Sequence, residues 1–262
     1  MKKLFPYILL VSLVCLAYGN TLHHSFHFDD IPSILQKPWI RGLDKIPDFI
    51  FSYSQRPIVI LSFNVNYAIS GFKEWSYHVF NITFHLLVVV LVYRLGKLIV
   101  SHMSERSTSL VKVPTQMPLL AASIFAVHPL NTQAVTYISS RSSILATIFY
   151  LVTVILLFEG LYKKVDKKTK THYVFAVGAA ISFGIGFLCK LIVISLPAIL
   201  FFYHYYFISN HNLETWLKRQ RKWILGVGGL FFITLLIQKI YGDGLLRASI
   251  VDVTTWDYFR TQ

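Results

Sequence analysis

Seven stretches of this chain are apolar for long enough, or nearly so, to cross a lipid bilayer: 4–20, 77–99, 118–136, 143–162, 173–188, 191–208 and 223–241. A helix needs about 20 mostly apolar residues to span the hydrocarbon layer. Within these blocks the apolar residues run on continuously and do not keep to one helical face, so a soluble amphipathic bundle does not account for them. Of 262 residues, 55% are hydrophobic and only 14% charged, with a mean hydropathy of +0.55, which leaves too little charge to coat a soluble globule. Backbone polar groups inside a bilayer must bond to one another, so the expected fold is all-α: a polytopic helical membrane protein with about seven transmembrane helices. The block 173–188 is short for a span, and 118–136 is interrupted by His128 and Pro129. The expected organisation is one transmembrane domain over 1–241 and an extracytoplasmic tail over 242–262.

Orientation follows from the cations. With the N-terminus in the cytoplasm, the inner segments are 1–3, 94–117, 163–172 and 209–222, and they hold 15 of the 25 lysines and arginines. The short inner loops "KKVDKKTKTH" and "LKRQRK" are the densest, as the positive-inside rule requires. The net charge of +13 is then explained by topology and by attraction to anionic lipid, and no nucleic-acid partner is expected. The opening "MKKLFPYILLVSLVCLAYGN" also has the form of a signal peptide; on either reading, residues 21–76 lie outside the cytoplasm. A multi-pass protein of the bacterial inner membrane is the expected setting. Cys15 and Cys189 sit in apolar surroundings without CxxC spacing, and no disulfide or metal role is expected of them.

Residues 21–76 make the one long outer segment between spans. In "WIRGLDKIPDFIF", Trp39, Leu43, Ile46 and Ile50 fall roughly on one helical face, and "PIVILSFNVNYAI" is apolar but too short to cross. Two short helices lying along the membrane surface are expected, covering a site near the outer boundary. The outer turns near 137–142 and 189–190 are very short by comparison.

Polar groups collect at the outer ends of the spans: Asp29 and Asp30 in "HSFHFDDIPSIL", then Arg56, His78, His85, His128, Arg141 and Lys190. Each has an ordinary explanation. An Asp pair before "IPSIL" caps a helix, arginines at span ends anchor to lipid phosphate, and a lysine between apolar blocks snorkels to headgroups. His128 can bond a carbonyl freed by Pro129. Taken together on one side of the membrane, they describe an anionic ligand held beside a carboxylate able to take a proton. His78 and His85 lie two helical turns apart on one face, and with His128 they are candidates for substrate binding. Neither has a carboxylate or histidine at i+3 or i+4, so no metal and no cofactor is expected. GxSxG, P-loop and HExxH patterns are absent from the sequence, which removes the usual support for serine hydrolase, NTPase and zinc protease chemistry.

Five blocks in order, "FHFDDIPSIL", "QRPIVILSFNVNYAISG", "YHVFNITFHLLVVVLVYRL", "FAVHPLNTQAVTYISSRSSILATIFYLVTVILLF" and "CKLIVISLPAILFFY", resemble the membrane half of the GT-C glycosyltransferases related to the transmembrane and TPR-repeat-containing O-mannosyltransferases, bacterial relatives included. The resemblance implies inverting transfer from a polyprenyl-phosphate sugar without a metal, the acidic pair Asp29 and Asp30 carrying the base. It assigns Arg56, Arg141 and Lys190 to the phosphate of the donor. The pattern departs from the family at Leu191, Gln133 and Ser143, where relatives commonly carry acids, and the chain ends at "WDYFRTQ" where relatives continue. A separately encoded C-terminal portion is therefore an expected partner, beside the lipid-linked sugar, a protein or glycan acceptor and the bilayer.

Two functions of different class follow. One is a membrane glycosyltransferase, or the N-terminal part of one. The other is a catalytically inactive or truncated protein of the same scaffold that acts as a binding or assembly partner. A small-molecule transporter has only Gly184 and Gly186 in its favour, and helix packing explains these equally.

Overall fold

The computed structural model describes residues 4–42, 56–106, 114–162 and 171–207, and every regular element among them is helical. Eight α-helices are described: α1 (Phe5–Tyr18), α2 (Pro57–Ser70), α3 (Glu74–Arg106), α4 (Met117–Val127), α5 (Asn131–Thr136), α6 (Arg141–Tyr162), α7 (Thr171–Cys189) and α8 (Leu196–Phe207). Short 3₁₀ turns at Gly19–His23, Pro38–Ile40, Ile138–Ser140 and Leu191–Ser195, and a wider π-type turn at Ile31–Leu35, join or extend them. The described residues up to Leu196 belong to one compact unit and those from Pro197 to a second.

Among the described residues three stretches are long and apolar enough to cross a membrane: Phe5–His23, Glu74–Met103 and Ile138–Gly160. Shorter apolar helices run over Pro57–Ser70, Met117–Val127, Tyr173–Cys189 and Leu191–Phe201. The chain is thus an all-α membrane protein, as the apolar blocks require. The block 223–241, the tail 242–262 and the helix face of Leu43, Ile46 and Ile50 lie outside the described residues.

The block 118–136 is divided in two. Its helix stops at Val127, His128 is extended, and α5 begins at Asn131. Pro129 has no N–H to offer the Phe125 carbonyl, so the helix cannot continue regularly. The freed carbonyls find other donors. Asn131 Nδ2 reaches Phe125 O at 2.7 Å, and His85 Nε2, from α3, reaches Ala126 O at 3.1 Å. A break at membrane depth is tolerated when protein groups satisfy it in this way.

Helix α3 is the centre of the packing. On one side its Val89 and Tyr93 join Leu10, Val14 and Tyr18 of α1 with Ala122 and Ala126 of α4. On the other, Tyr77 and Val88 join Val59 and Phe63 of α2 and Ile144, Leu145 and Ile148 of α6. Helices α6 and α7 pack against each other with little room at two glycines. A Cβ added at Gly160 would stand 2.9 Å from Phe175 Cβ, and one at Gly186 would stand 3.0 Å from Phe149 Cβ. Small residues at such crossings let the backbones meet, which gives Gly186 a packing role.

Where α2, α3 and α6 converge lies Arg141, fully buried at the first position of α6. Its Nε donates to Asn81 Oδ1 at 2.8 Å, Nη1 to Asn66 Oδ1 at 2.5 Å and to Ser62 O and Oγ at 3.2 Å, and Nη2 to the Tyr77 carbonyl at 3.1 Å. The guanidinium carbon stands 4.4 Å from the Phe63 ring centroid, with Tyr77, Phe80 and Phe84 within 6.0 Å. Acceptors on two helices are thereby tied to one planar fork on a third, which a lysine ammonium does not reproduce. Arg141→Met leaves several buried acceptors without donors, each costing about 1–3 kcal/mol. The expected outcome is a large drop in the thermal midpoint of the detergent-purified protein, with Arg141→Lys falling between Met and the native residue.

Candidate functional site

The segment "YISSRSS", Tyr137–Ser143, anchors Asp29, Asp30, Arg56 and Lys190. It leads from the short α5 through a 3₁₀ turn into α6, so its backbone direction is set by the buried Arg141 in its midst. Tyr137 and Ser139 face the acidic loop, and Ser142 and Ser143 face two cations.

The acidic pair is divided by burial. Asp30 is 1% exposed and both its oxygens are occupied. Its Oδ1 accepts from Ser139 N at 2.7 Å and Ser139 Oγ at 2.5 Å, and its Oδ2 from His27 N at 3.1 Å. Asp29 is exposed, and its backbone N–H donates to Tyr137 Oη at 2.9 Å. Burial pushes the Tyr137 phenol above its ordinary range; the Asp29 N–H opposes this, while the Asp29 side chain adds to it. Tyr137 therefore stays protonated at neutral pH and holds the acidic turn against the start of α6.

The cations form a second group. Arg56, exposed just before α2, directs Nη1 to Ser142 Oγ at 3.4 Å. Lys190, half-buried at the end of α7, directs Nζ to Ser143 Oγ at 2.8 Å. Lys190 therefore turns inward to the protein and does not snorkel. Burial, and after it the nearby Arg56, push its amine below the ordinary lysine value. Among the described residues the ion pair is Arg94 with Glu159, so neither Arg56 nor Lys190 has a carboxylate partner there. Both sit over the first turn of α6, where backbone N–H groups lack helical acceptors. Ser139, which holds the buried carboxylate, and Ser142 and Ser143, which hold the cations, belong to the same short segment.

The remaining sequence candidates divide in the same way. Arg141, expected at the donor phosphate, instead spends its donors inside the core and has no exposed surface. His78 is buried, with Nε2 donating to the His24 carbonyl at 2.9 Å, and His85 is buried on the Ala126 carbonyl. His128 is exposed at the helix break, where its Nδ1 accepts from Leu130 N at 3.2 Å and the freed carbonyls go to other groups. No group of three or more His, Cys, Asp or Glu able to hold a metal occurs among the described residues. Sequence reasoning passed over Tyr137, Ser139, Ser142 and the structural partners Asn66 and Asn81. The available signal was the run of four serines around an arginine at a helix start.

The arrangement is an exposed carboxylate, steadied by a buried one, beside a cation pair over a helix N-terminus. Such a site can take a proton and hold an anion at once.

No family model and no solved structure matches the chain. Its similarity is to protein O-mannosyl-transferases. It is 31% identical to TMTC3 of Mus musculus over 156 residues, covering 55% of this chain and 16% of that protein. Against TMTC3 of Homo sapiens the identity is 30% over the same extent. Against F38B6.6 of Caenorhabditis elegans it is 32% over 163 residues, covering 57% of this chain and 22% of that one. The chain is therefore related to the protein O-mannosyl-transferases over about half its length, and the match spans no more than 22% of these relatives.

Asp30→Asn separates the two carboxylates. Whichever way the amide is turned, one N–H meets a backbone donor, at Ser139 or at His27, costing about 1–3 kcal/mol. The thermal midpoint should fall for Asp30→Asn and stay unchanged for Asp29→Asn; equal falls would mean that Asp30 is not the anchoring member.

Proposed function

We propose that the chain is the membrane part of a glycosyltransferase that moves a sugar, mannose in the first instance, from a polyprenyl-phosphate donor to a hydroxyl acceptor on the extracytoplasmic side. One observation carries this reading: the Tyr137–Ser143 segment anchors both the loop with the exposed Asp29 and the Arg56–Lys190 pair. The names of the related O-mannosyl-transferases support the class of reaction.

In this reading the acceptor hydroxyl attacks the anomeric carbon while Asp29 takes its proton. The bond from that carbon to the phosphate oxygen breaks, and its electron pair stays on the phosphate. Attack opposite the leaving phosphate in a single displacement inverts the anomeric centre. Arg56 and Lys190 offset the charge that grows on the leaving oxygen, an interaction worth most where water is excluded. Asp30 acts through position, holding the turn that carries Asp29. Arg141 holds the start of α6, and His128, exposed at the outer break, is assigned a substrate contact. His78 and His85, buried on backbone carbonyls, act by holding the walls.

The setting that suits this chemistry is a multi-pass protein of a bacterial inner membrane with its N-terminus in the cytoplasm and a protein or glycan as acceptor. A second reading, a non-catalytic binding or assembly partner, is favoured by Leu191, 54% exposed beside Lys190 where related sequences commonly carry an acid.

In the complete gene product, Asp29→Asn should lower transfer from polyprenyl-phosphate mannose by about 100-fold or more. An unchanged rate removes Asp29 as the base, and no turnover even with the native residue favours the second reading. Sidedness is checked separately: His128→Cys, in a background lacking Cys15 and Cys189, should react with a membrane-impermeant maleimide from outside intact cells.

A further inference from the structure

We infer that the Arg56–Lys190 site selects a doubly charged phosphate monoester over a phosphodiester, so that the released lipid phosphate is held more tightly than the sugar donor. The ligand class rests on the proposed function; the charge preference rests on geometry alone. Arg56 and Lys190 reach neighbouring residues, Ser142 Oγ and Ser143 Oγ, both neutral. Neither cation has a carboxylate partner among the described residues. The carboxylate bound to the same segment, Asp30, has both oxygens occupied by Ser139 and His27. Two like charges held together at the start of a helix are the reverse of an ion pair. They are stabilised best by a ligand that brings two negative charges, and each singly charged ligand leaves one cation unmatched.

The reaction changes the phosphate in this direction. A sugar joined to a lipid through one phosphate is a diester with one negative charge. Transfer breaks the bond between the anomeric carbon and the phosphate oxygen, leaves the electron pair on that oxygen, and passes the acceptor's proton to Asp29. The lipid leaves as a monoester carrying up to two negative charges. A site complementary to the second charge binds the transition state better than the donor and so accelerates departure. The same complementarity slows release of the lipid phosphate, making it an inhibitor competitive with the donor.

The test is direct binding to the full chain in phosphatidylcholine nanodiscs, with no acceptor present. The probes are a polyprenyl monophosphate, the methyl phosphodiester of the same lipid, and inorganic phosphate. The monoester should bind about tenfold more tightly than the methyl diester, the equivalent of one further matched charge. Inorganic phosphate should compete with it, which distinguishes headgroup recognition from lipid-tail binding. Arg56→Gln and Lys190→Gln should each abolish the preference, while Arg56→Lys and Lys190→Arg retain it. Equal affinities for monoester and diester, a preference untouched by both glutamine variants, or a preference that inorganic phosphate does not compete for would each overturn the inference. Asp29→Asn should bind like the native chain, so loss of transfer with the preference intact marks a failure at the base and not at this site.

Discussion

A guanidinium shut inside a membrane protein is costly unless each of its hydrogens is directed, and Arg141 is the group around which the rest of the structure is arranged. Its acceptors come from α2 (Ser62, Asn66) and α3 (Tyr77, Asn81), while the arginine itself opens α6. Rings of Phe63, Tyr77, Phe80 and Phe84 surround the charge. Asn81 extends the network by donating through Nδ2 to the Val135 carbonyl at 3.2 Å, which ties α5 to the same point. A rigid fork with fixed donor directions specifies how three helices meet far more narrowly than apolar packing does. Ser139, Ser142 and Ser143 flank that arginine, so their positions are inherited from it.

The acidic loop is then docked to a surface already in place. Phe28 adopts φ of +44°, a left-handed conformation seldom taken by a bulky residue, immediately before the acidic pair. The Asp29 N–H to Tyr137 and the Asp30 carboxylate to Ser139 and His27 hold the turn that contains it. Strain of this kind persists only where surrounding contacts over-determine the backbone. One consequence is that adjacent aspartates end in opposite environments, one enclosed and one in solvent. Phe28 itself is 86% exposed, so the turn is held by polar contacts and not by burial of the aromatic ring.

Much of the fold was legible because hydrocarbon imposes a length. The block 143–162 matches Arg141–Tyr162 closely, and 77–99 lies inside the longer helix Glu74–Arg106. The division of 118–136 was legible in Pro129, but the repair was not, since His85 and Asn131 reach the freed carbonyls only once α3 and α4 are packed. Lys190 offered two destinations, lipid headgroup or protein interior, and Ser143, 47 positions away, decides between them. For Arg141 the sequence signal was ambiguous for a physical reason: an arginine at a helix start serves a phosphate or a core equally well by composition. Only the convergence of Asn66 and Asn81 from other helices, invisible to local pattern, settles which.

The same difficulty recurs for every kind of charged or polar group among the candidates. Asp30 is enclosed and Asp29 exposed; Arg141 is enclosed and Arg56 exposed; His78 and His85 are enclosed and His128 exposed. Polar residues near apolar blocks attract a functional reading because desolvation makes them expensive, yet that expense is repaid equally by a structural network whose partners are all present. For the aspartates and arginines partner count therefore discriminates where rarity does not; His78 is a mixed case, its buried Nδ1 having no hydrogen-bond partner. A buried side chain with its donors or acceptors directed has little left to offer a substrate, whereas Asp29, Arg56 and Lys190 keep charge that the described residues do not neutralise. The enclosed member of each pair fixes geometry and the exposed member presents charge, so that one short serine-rich turn anchors carboxylates through Tyr137 and Ser139 and cations through Ser142 and Ser143.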